Sequence, residues 1–433
     1  MRRIIVKKSK GLNGVIEIPG DKSISHRALI FSSLAKGKSK IVNFLFGQDC
    51  LSTMNCLKKL GVKIEIENNI IHVEGRGLRG LSEPEDILDA GNSGTTARIL
   101  LGILAGQEGL FSVLTGDSSL KKRPMGRVVQ PLSQMGAHII GRKEGNFLPI
   151  AIKGKKLRGI TYKLPVPSAQ VKSCLLLAGL LAEGETKIIE PYLSRNHTEL
   201  IFEYLNLPLI KNDLELITHG IEEFSSKDFY IPGDFSSASF IIAGALLVPN
   251  SEIILKNCGL NPTRTGMLEV LKKCGAKIHI LKEDYWGKEK VGDILVKTSD
   301  LTEFIIEGDI VPRLIDEIPI LAVIATQAKG KSYFRNVEEL RVKESDRIKG
   351  ILENIRKMGG KGEETADGFY IEGPTPLEGI QIETFNDHRL AMAFTIAGLI
   401  ADGETIVERE SIDISFPNFI EVLKNIGGEV FEL

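Results

Sequence analysis

The stretch GLLAEGETKI at residues 179–188 recurs as GLIADGETIV at residues 398–407 with six of ten residues identical, and four other segments of the chain have the same form. In each, an apolar, helix-like run reaches a glycine or asparagine and then enters a segment rich in β-forming residues. Gly and Asn are expected where a helix stops in a left-handed conformation. The turn residues stand 72, 75, 66, 80 and 73 residues apart and are Gly37, Gly109, Gly184, Asn250, Gly330 and Gly403. The chain is therefore predicted to consist of six repeats.

Each repeat carries a second marker after its turn, of the form LKKLGVKI at residues 57–64. Five repeats keep this marker, whereas the third has the divergent EYLNLPLI at residues 203–210. The marker is typical of a helix end that leads into a strand. In the first repeat this strand opens a hairpin, with an Asn68-Asn69 turn between two alternating arms. Each repeat is predicted to run strand, helix, strand, helix and hairpin, which makes the fold class α+β with mixed sheets.

A polar side chain lies 14 residues before every turn residue, at or near the predicted start of a helix. The six marked positions are Ser23, Thr95, Gln170, Ser236, Asp316 and Arg389. Helix capping explains Ser, Thr and Asp there, but Arg is a poor N-cap and Gln a mediocre one. Helix starts also present free N–H groups and the positive end of the dipole, which favour anions. We therefore expect several marked positions to contact a shared anionic ligand, and only a capping role for Ser236.

Length and composition describe an ordinary globular protein. A chain of 433 residues is too long for one common core, which favours two domains. The net charge is −1, so no general affinity for nucleic acid or membrane surfaces is expected, and attraction for anions must come from local clusters. The sequence shows neither a membrane-spanning apolar run nor a signal-peptide pattern, so we expect a cytoplasmic protein.

Metal and cofactor motifs are missing from the sequence. Five cysteines, an odd number without CxxC spacing, favour buried thiols over a disulfide framework or a zinc site. His197 and Glu199 do not stand in the His-Glu-x-x-His spacing of zinc enzymes. A P-loop, a dinucleotide-binding fingerprint and a nucleophile elbow are also absent from the sequence. No metal ion and no cofactor is therefore predicted.

Several polar segments precede predicted helices and are candidates for anion binding. GDKSISHR at residues 20–27 and LKKRPMGR at residues 120–127 concentrate cations, and GNSGTTAR at residues 91–98 has glycines that permit close approach of a ligand. SAQVK at residues 168–172 adds Ser168 and Gln170, which can either bind a hydroxyl-rich ligand or cap the helix. Taken singly, each segment could also be a solvated turn. Together they favour a phosphate or carboxylate site.

Two acidic segments supply candidates for proton transfer. DEIP at residues 316–319 places carboxylates where they usually stabilise the helix dipole, but in a cationic site Asp316 could accept a proton. LRVKESDR at residues 340–347 is either a salt-bridged helix face or an acid/base pair of Lys343 and Glu344 with Arg347 on a phosphate. NDHR at residues 386–389 provides one further cation at a helix start.

Nine motifs, in chain order, resemble the 5-enolpyruvylshikimate-3-phosphate synthase family over residues 19–417. They are GDKSISHR, GNSGTTAR, KRPMGR, SAQVK, RNHTE, NPTR, DEIP, LRVKESDR and NDHR, and three of them (SAQVK, RNHTE, NPTR) are similar to its class II branch. The resemblance implies a two-domain inside-out α/β barrel of the enolpyruvyl transferase type, with six βαβαββ repeats, three per domain. It assigns residues 20–233 to a first domain, and residues 1–19 and 234–433 to a second, which face each other and close on substrate.

The resemblance also implies a reaction. Phosphoenolpyruvate gives its enolpyruvyl group to the 5-hydroxyl of shikimate-3-phosphate and releases phosphate, by addition and elimination through a tetrahedral intermediate. This is the sixth step of the shikimate pathway, toward chorismate and the aromatic amino acids. Both steps need only proton transfer and a cradle of cations, so the resemblance implies no metal and no cofactor. A monomer is expected.

Matching the family's motifs to this chain assigns roles to individual residues. The implied shikimate-3-phosphate contacts are Lys22, Ser23, Arg27, Ser168, Ala169, Gln170, Arg195, Asp316 and Lys343. The implied phosphoenolpyruvate contacts are Lys22, Gly94, Arg123, Gln170, Arg347 and Arg389. Proton transfer falls to Asp316, as the base for the 5-hydroxyl, and to Glu344, as the acid for the methylene carbon. Lys22 and Lys343 would assist them.

Glyphosate, an inhibitor of this family, occupies the phosphoenolpyruvate position, and this chain keeps Gly94 where some tolerant class II members have alanine. Two rival functions remain open. The sister transferase acting on UDP-N-acetylglucosamine shares the repeats, but it carries a cysteine in the loop matching residues 116–127, where this chain has none. A non-catalytic anion-binding protein on the same scaffold would not need Asp316, Lys343 and Glu344 together.

Overall fold

Short strands alternate with helices along the chain, which a computed structural model describes for residues 2–413 and 415–433. The elements up to residue 153 are β1 (Arg3–Lys7), β2 (Asn13–Glu17), α1 (Lys22–Leu34), β3 (Lys36–Val42), α2 (Gln48–Lys59), β4 (Lys63–Glu67), β5 (Ile70–Arg76), β6 (Leu88–Asp89), α3 (Gly94–Ala105), β7 (Phe111–Thr115), α4 (Gly126–Gln134), β8 (His138–Gly141), the single turn α5 (Arg142–Gly145) and β9 (Phe147–Lys153). Up to residue 297 they are β10 (Leu157–Arg158), β11 (Thr161–Lys163), α6 (Ala169–Leu181), β12 (Ala182–Glu183), β13 (Glu185–Ile189), α7 (His197–Tyr204), β14 (Ile210–Asn212), β15 (Glu215–His219), β16 (Phe229–Tyr230), α8 (Phe235–Leu247), β17 (Glu252–Gly259), α9 (Gly266–Lys273), β18 (Lys277–Trp286) and β19 (Glu289–Lys297). The remainder are β20 (Ile305–Ile306), α10 (Val311–Leu314), α11 (Ile318–Ala325), β21 (Gly330–Phe334), α12 (Arg347–Lys357), β22 (Lys361–Thr365), β23 (Gly368–Gly373), α13 (His388–Gly398), β24 (Glu404–Glu408), α14 (Arg409–Ile412), α15 (Phe419–Asn425) and β25 (Val430–Glu432).

Contacts between residues divide the chain into two compact units. The first unit comprises Gly20–Ile231 and Tyr285–Glu289, and the second comprises Met1–Pro19, Pro232–Asp284 and Lys290–Leu433. This division differs from the predicted boundaries chiefly at residues 285–289, which were expected in the second domain. They group with the first unit because Glu289 Oε1 lies 2.7 Å from His197 Nδ1 and Gly287 lies against the ring of Tyr204.

The first unit has three four-stranded sheets of one design among its described residues. Their strand orders are β16-β3-β5-β4, β6-β7-β9-β8 and β11-β13-β15-β14. In each sheet the first-named edge strand is parallel to its neighbour, and the remaining pairs are antiparallel. The predicted β4–β5 hairpin is present, and its turn residues Asn68 and Asn69 have φ values of 49° and 62°. This arrangement confirms the predicted α+β repeats.

Two sheets of the second unit have four strands and one parallel edge strand, as in the first unit, whereas the third has three strands. Strands from both ends of the chain take part in them. Their orders are β18-β19-β17-β2, β20-β21-β23-β22 and β24-β1-β25. Strand β2 is the parallel partner of β17, and β1 pairs antiparallel with both β24 and β25. In the first unit, β16 completes the sheet of β3 in the same way, with Phe229 opposite Ile41. These backbone ladders explain why residues 3–17 belong to the second unit and residues 229–230 to the first.

The six predicted turn residues all have a positive φ, between 54° and 119°. The preceding helices end three to five residues earlier, at Leu34, Ala105, Leu181, Leu247, Ala325 and Gly398. The left-handed residue therefore turns the chain toward the next strand and does not itself stop the helix.

The helix starts correct the capping hypothesis. Five marked side chains occupy the second position of their helices, and Asp316 precedes α11 by two residues. The caps lie two positions before the marked residues, accept backbone N–H groups through side-chain oxygens, and are Asp21, Ser93, Ser168, Asp234 and Asp387. The capping role expected for Ser236 is therefore wrong, because Asp234 caps that helix.

Each unit has its own hydrophobic core. Helices α6, α8 and α11 are buried on nearly every side because their sequences are apolar almost throughout. The polar residues of α6 and α8 lie within the first five positions of each helix, and α11 has none. Within residues 2–413 and 415–433, no helix combines the length and apolar character needed to cross a membrane.

Candidate active site

The start of α1 carries the cationic motif of the first unit. Asp21 caps this helix by accepting the Ile24 N–H at 2.9 Å. Lys22 Nζ lies 3.1 Å from Asp49 Oδ2 on α2, and the Lys22 side chain is 18% exposed. Lys22 is thus a partly buried, ion-paired cation. The ion pair with Asp49 orients the Lys22 ammonium group.

Arg27 is buried, and its guanidinium joins three helices. Nε donates to Thr198 Oγ1 at 2.7 Å, Nη2 donates to Ser173 Oγ at 2.7 Å, and Nη1 donates to the Ser23 carbonyl at 2.8 Å. Burial lowers the pKa of Arg27 to about 10, against the opposing charge of Glu199, so the group stays charged at neutral pH. These bonds use three of the five guanidinium N–H groups, which leaves two for an anion.

Gly94 begins α3 in the first unit, and its backbone lies beside two arginines. A Cβ built on this glycine would lie 3.0 Å from Arg98 Nη1 and 3.8 Å from Arg123 Nη1. Arg123 Nη2 donates to Asn92 Oδ1 at 2.6 Å. This bond holds the basic loop, residues 120–127, against the glycine-rich turn at residues 91–94. Gly94 is helical, so what glycine provides here is space beside the two guanidinium groups and not an unusual backbone conformation.

Arg98 contacts the predicted site residue Gln170, although the sequence motifs assigned no role to it. Its Nη1 donates to Gln170 Oε1 at 2.5 Å, and its Nη2 donates to the Pro124 carbonyl at 3.2 Å. Gln170 Nε2 donates in turn to Thr95 Oγ1 at 3.0 Å. Arg98 therefore orients the Gln170 amide and links α3, α6 and the basic loop. Its spacing of four residues from Gly94, one helical turn, was the available signal.

The start of α6 and the segment before α7 hold the remaining predicted residues of the first unit. Ser168 caps α6 by accepting the Val171 N–H at 3.4 Å. The Ala169 carbonyl accepts the Ser173 hydroxyl at 2.6 Å, and Ser173 also binds Arg27. Arg195 is partly buried, two residues before α7. The Ser168 hydroxyl and the Ala169 carbonyl therefore already have hydrogen-bond partners within the protein. We expect side chains, more than the Ala169 backbone, to recognise a ligand at this point.

Arg347 is the centre of the cluster in the second unit and is 1% exposed. Nε donates to Asp387 Oδ2 at 2.7 Å, Nη2 donates to Glu344 Oε2 at 2.6 Å, and Nη1 donates to Asp316 Oδ1 at 3.5 Å. Burial alone would lower the pKa of Arg347, but Asp387 and Glu344 hold it above its ordinary value. Burial alone would raise the pKa of Asp387, but the charge of Arg347 holds it below its ordinary value. One buried arginine therefore contacts both carboxylates predicted to move protons.

Arg389 and Lys343 bring further positive charge to this cluster. Arg389 Nη1 donates to the Asp316 carbonyl at 3.2 Å, and its Nη2 lies 3.5 Å from Asp316 Oδ2. The Lys343 side chain is 25% exposed. Desolvation lowers the pKa of Lys343 below its ordinary value, although Asp316 acts in the opposite direction. A lowered pKa makes this ammonium group a stronger acid than that of an exposed lysine.

Ser236, for which only a capping role was expected, joins two buried charges. Its hydroxyl donates to Glu317 Oε1 and accepts from Arg264 Nη2 at 2.6 Å. Arg264 belongs to the NPTR motif, and its Nη2 lies 3.6 Å from Asp234 Oδ1. Because Glu317 directly follows Asp316, this polar cluster anchors the backbone that carries the predicted base.

Groups of metal-binding side chains and nucleophilic cysteines are two further kinds of site that the described part of the chain could contain. No group of three or more His, Cys, Asp and Glu residues there has the arrangement to hold a metal ion. The five cysteines are free and buried, as predicted. Burial raises the pKa of Cys56 to about 12, so this thiol is not a nucleophile at neutral pH.

Six repeats with cations and carboxylates at their helix starts are the architecture of an enolpyruvyl transferase. The family model of EPSP synthase (3-phosphoshikimate 1-carboxyvinyltransferase) matches residues 6–423. The 3-phosphoshikimate 1-carboxyvinyltransferase of Thermodesulfovibrio yellowstonii is 52% identical over 424 residues, which cover 97% of this chain and 98% of that protein. That of Brevibacillus brevis is 48% identical over 423 residues, with 98% and 99% covered. The solved EPSP synthase of Acinetobacter baumannii has a TM-score of 0.90 and 38% identity, with both chains fully covered.

The chain belongs to the EPSP synthase family and is an enzyme of the transferase class. The predicted family and the two-domain α/β fold are confirmed by relatives that match nearly the whole chain. Neither rival gains support, because the family and the similar proteins named above are all 3-phosphoshikimate 1-carboxyvinyltransferases or EPSP synthases.

Proposed function

We propose that this protein transfers the enolpyruvyl group of phosphoenolpyruvate to the 5-hydroxyl of shikimate-3-phosphate and releases inorganic phosphate. The reaction is the sixth step of the shikimate pathway, toward chorismate and the aromatic amino acids. The observation that carries the proposal is the contact of Asp316 and Glu344 with one buried arginine, Arg347. It combines two carboxylates for proton transfer with a cation for phosphate, which an addition–elimination reaction needs.

The addition step forms one C–O bond and moves two protons. Asp316 accepts the proton of the 5-hydroxyl while the hydroxyl oxygen attacks C2 of phosphoenolpyruvate. Glu344 donates a proton to the methylene carbon, which becomes a methyl group. The resulting ketal still carries the phosphate group. We assign Lys343, whose charge interacts with both carboxylates, to assist them.

The elimination step restores the double bond. The bond from C2 to the phosphate oxygen breaks, and the methyl group returns a proton to Glu344. Phosphate leaves with the electron pair of that bond and takes the proton that Asp316 accepted in the addition step, so both carboxyl groups return to their starting states. Charge on the leaving phosphate is balanced by cations, which we assign to Lys22, Arg347 and Arg389. The two steps balance without an oxidant, a reductant or a further group.

Recognition of the two substrates depends on cations, because each carries a phosphate and a carboxylate. In the first unit we assign shikimate-3-phosphate to Lys22, Ser23, Arg27, Ser168, Ala169, Gln170 and Arg195, and phosphoenolpyruvate to Lys22, Gly94, Arg123 and Gln170. In the second unit Asp316 and Lys343 serve the first substrate, and Arg347 and Arg389 serve the second. Of the three carboxylate contacts of Arg347 given above, the one from Nη1 to Asp316 is the longest, at 3.5 Å. A substrate anion can therefore replace Asp316 at Nη1 more easily than it can replace the other carboxylates.

Three further features belong to the same proposal. Glyphosate, itself an anion with phosphonate and carboxylate groups, inhibits by occupying the phosphoenolpyruvate position. The enzyme acts in the cytoplasm as a monomer. Sedimentation of the purified protein at several concentrations tests the last point, since a constant mass near 47.5 kDa is expected.

The test of the proposed function is phosphate release from phosphoenolpyruvate with alternative acceptors. Release is expected with shikimate-3-phosphate and not with UDP-N-acetylglucosamine. Asp316→Asn provides the control, because it removes the base and should lower turnover by at least about a hundredfold. Release that depends on UDP-N-acetylglucosamine would establish the sister activity. Absence of release with either acceptor would favour the non-catalytic binding protein.

A further inference from the structure

Lys172 is an ammonium group sealed inside the first unit. Its side chain is 0% exposed, and those of its partners Glu190 and Glu199 are 2% and 3% exposed. Nζ donates to Glu190 Oε2 at 2.9 Å and to the Ser194 carbonyl at 3.4 Å, and it lies 2.7 Å from Glu199 Oε1. Three acceptors match the three N–H groups of an ammonium. Apolar residues often replace buried ion clusters without loss of stability, so stability alone explains this cluster poorly.

Glu190 closes the turn that precedes Arg195. Its Oε1 accepts the Ser194 N–H at 3.3 Å and also the Ser194 hydroxyl. Lys172 binds the other oxygen of the same carboxylate and the Ser194 carbonyl. The turn at residues 190–194 therefore has a fixed position on α6, and Arg195 follows it directly.

The same cluster continues to Arg27. Thr198 Oγ1 and Ser173 Oγ lie 2.6 Å apart, and each accepts an N–H of Arg27. Ser173 follows Lys172 on α6, and Thr198 precedes Glu199 on α7, so neighbouring residues make both connections. The two cations and the two carboxylates balance in charge, which offsets much of the cost of burying them.

We propose that Lys172 is a positioning residue for the phosphate of shikimate-3-phosphate: by tying the turn at residues 190–194 to α6, it sets the distance between Arg195 and the α6 start. Ser168 and Gln170 lie at that start. Lys172 itself does not touch the substrate. This proposal rests on the proposed function, because it needs Arg195 and Ser168 to hold that phosphate.

The double substitution Lys172→Met/Glu190→Gln tests the proposal. It removes one cation and one carboxylate, so the net buried charge is unchanged, and an amide oxygen at position 190 can still accept from Ser194. The tie between the turn and α6 is lost. The KM for shikimate-3-phosphate should rise about tenfold or more, because misplacing a binding group by about 1 Å is costly. The KM for phosphoenolpyruvate should stay within about twofold.

Two single substitutions complete the design. Lys187→Met on β13 is the matched control, because Lys187 is also ion-paired, at 2.7 Å to Glu215, but is one-third exposed; both KM values should stay as in the wild type. Glu190→Gln alone keeps the Lys172–Glu199 ion pair but weakens the tie between Lys172 and the turn, so it should raise the KM for shikimate-3-phosphate several-fold. If the double variant does not fold, this single variant tests the positioning role of Lys172 in its place.

The outcomes separate the two proposals. A wild-type enzyme that releases no phosphate refutes the proposed function, and this inference with it. An active wild type whose folded variants keep the KM for shikimate-3-phosphate, or raise both KM values equally, refutes the positioning role alone. A selective rise in the KM for shikimate-3-phosphate, at a nearly unchanged unfolding midpoint, supports it.

Discussion

Arg347 and Asp387 lie 40 residues apart in the chain and form a buried ion pair, with Nε donating to Oδ2 at 2.7 Å. The other oxygen of the same carboxylate accepts the backbone N–H of Arg389 at 2.9 Å and so caps α13. One carboxylate therefore orients Arg347 and also fixes the helix that carries Arg389. The two arginines assigned to phosphoenolpyruvate in the second unit depend on the same side chain.

Asp387→Asn should destabilise the protein at neutral pH and weaken phosphoenolpyruvate binding. Removing one partner of a buried ion pair costs about 3–5 kcal/mol. Arg347 lowers the pKa of Asp387 in the folded protein, so its contribution to stability is full above the ordinary value of 3.8 and is lost as the pH falls through the lower folded value. Denaturant unfolding at pH 7 and at pH 3 should therefore show a smaller difference from the wild type at the lower pH.

The control for this prediction is Asp346→Asn. Asp346 also caps a helix, α12, and pairs with an arginine, Arg341, but both side chains are about one-third exposed. It should cost less than about 1 kcal/mol, because asparagine caps a helix about as well as aspartate and an exposed ion pair contributes little to stability. Equal losses in the two variants would contradict the role assigned to the buried pair.

His26→Gln should flatten the acid side of the stability profile. Burial lowers the pKa of His26 to about 3, and its Nδ1 lies 2.7 Å from Thr53 Oγ1. His26 is therefore protonated below about pH 6.5 in the unfolded chain but only below about pH 3 in the folded protein. The free energy of unfolding falls as the pH is lowered through this range. Between pH 6.5 and 4.5 the free energy of unfolding should fall by about 2 kcal/mol more in the wild type than in the variant. Parallel profiles would show that His26 is not held neutral.

Gly94→Ala should raise the inhibition constant for glyphosate more than the KM for phosphoenolpyruvate. The added methyl group would lie 3.0 Å from Arg98 Nη1, so that guanidinium must shift by a few tenths of an ångström. Several-fold loss of phosphoenolpyruvate affinity is expected, because Arg123 is nearby as well. Steady-state inhibition measured on both proteins provides the comparison, and an unchanged inhibition constant would refute the steric argument.

Lys22→Met should abolish turnover while the protein remains folded. The ammonium pairs with Asp49 at 3.1 Å and is partly exposed, so its loss should cost only about 1–2 kcal/mol of stability. Lys36→Met is the control, because Lys36 pairs with Glu223 on the surface of the same unit. Turnover of the Lys36 variant should match the wild type. A Lys22 variant with near-normal turnover would remove that residue from the mechanism.

Local patterns in the sequence were sufficient for the repeats and most of the secondary structure. The turn residues Gly37 and Gly403, for example, need a positive φ, which glycine adopts without strain, so they stand out at fixed spacing. The β4–β5 hairpin was predictable for the same reason, from Asn68 and Asn69 between alternating strands. The caps were placed two residues too late because capping depends on the backbone conformation at the helix edge, which composition does not specify.

The site was predictable only where a motif marked it. Lys172 belongs to the SAQVK motif, but its role was missed because its partners Glu190 and Glu199 lie 18 and 27 residues away. Ser236 was misjudged because its partner Glu317 is 81 residues distant. Such pairs form through tertiary packing, so the chain alone reveals the charges and not their contacts.

The most direct test of the reaction is to run it in deuterium oxide and examine the product by mass spectrometry and proton NMR. Addition followed by elimination passes through a methyl group, so the account predicts deuterium in the vinyl methylene of a carboxyvinyl ether at the 5-oxygen of shikimate-3-phosphate. Glu344→Gln should slow formation of this product strongly. A carboxyvinyl ether without deuterium, or consumption of phosphoenolpyruvate without any ether at the 5-oxygen, would contradict the account.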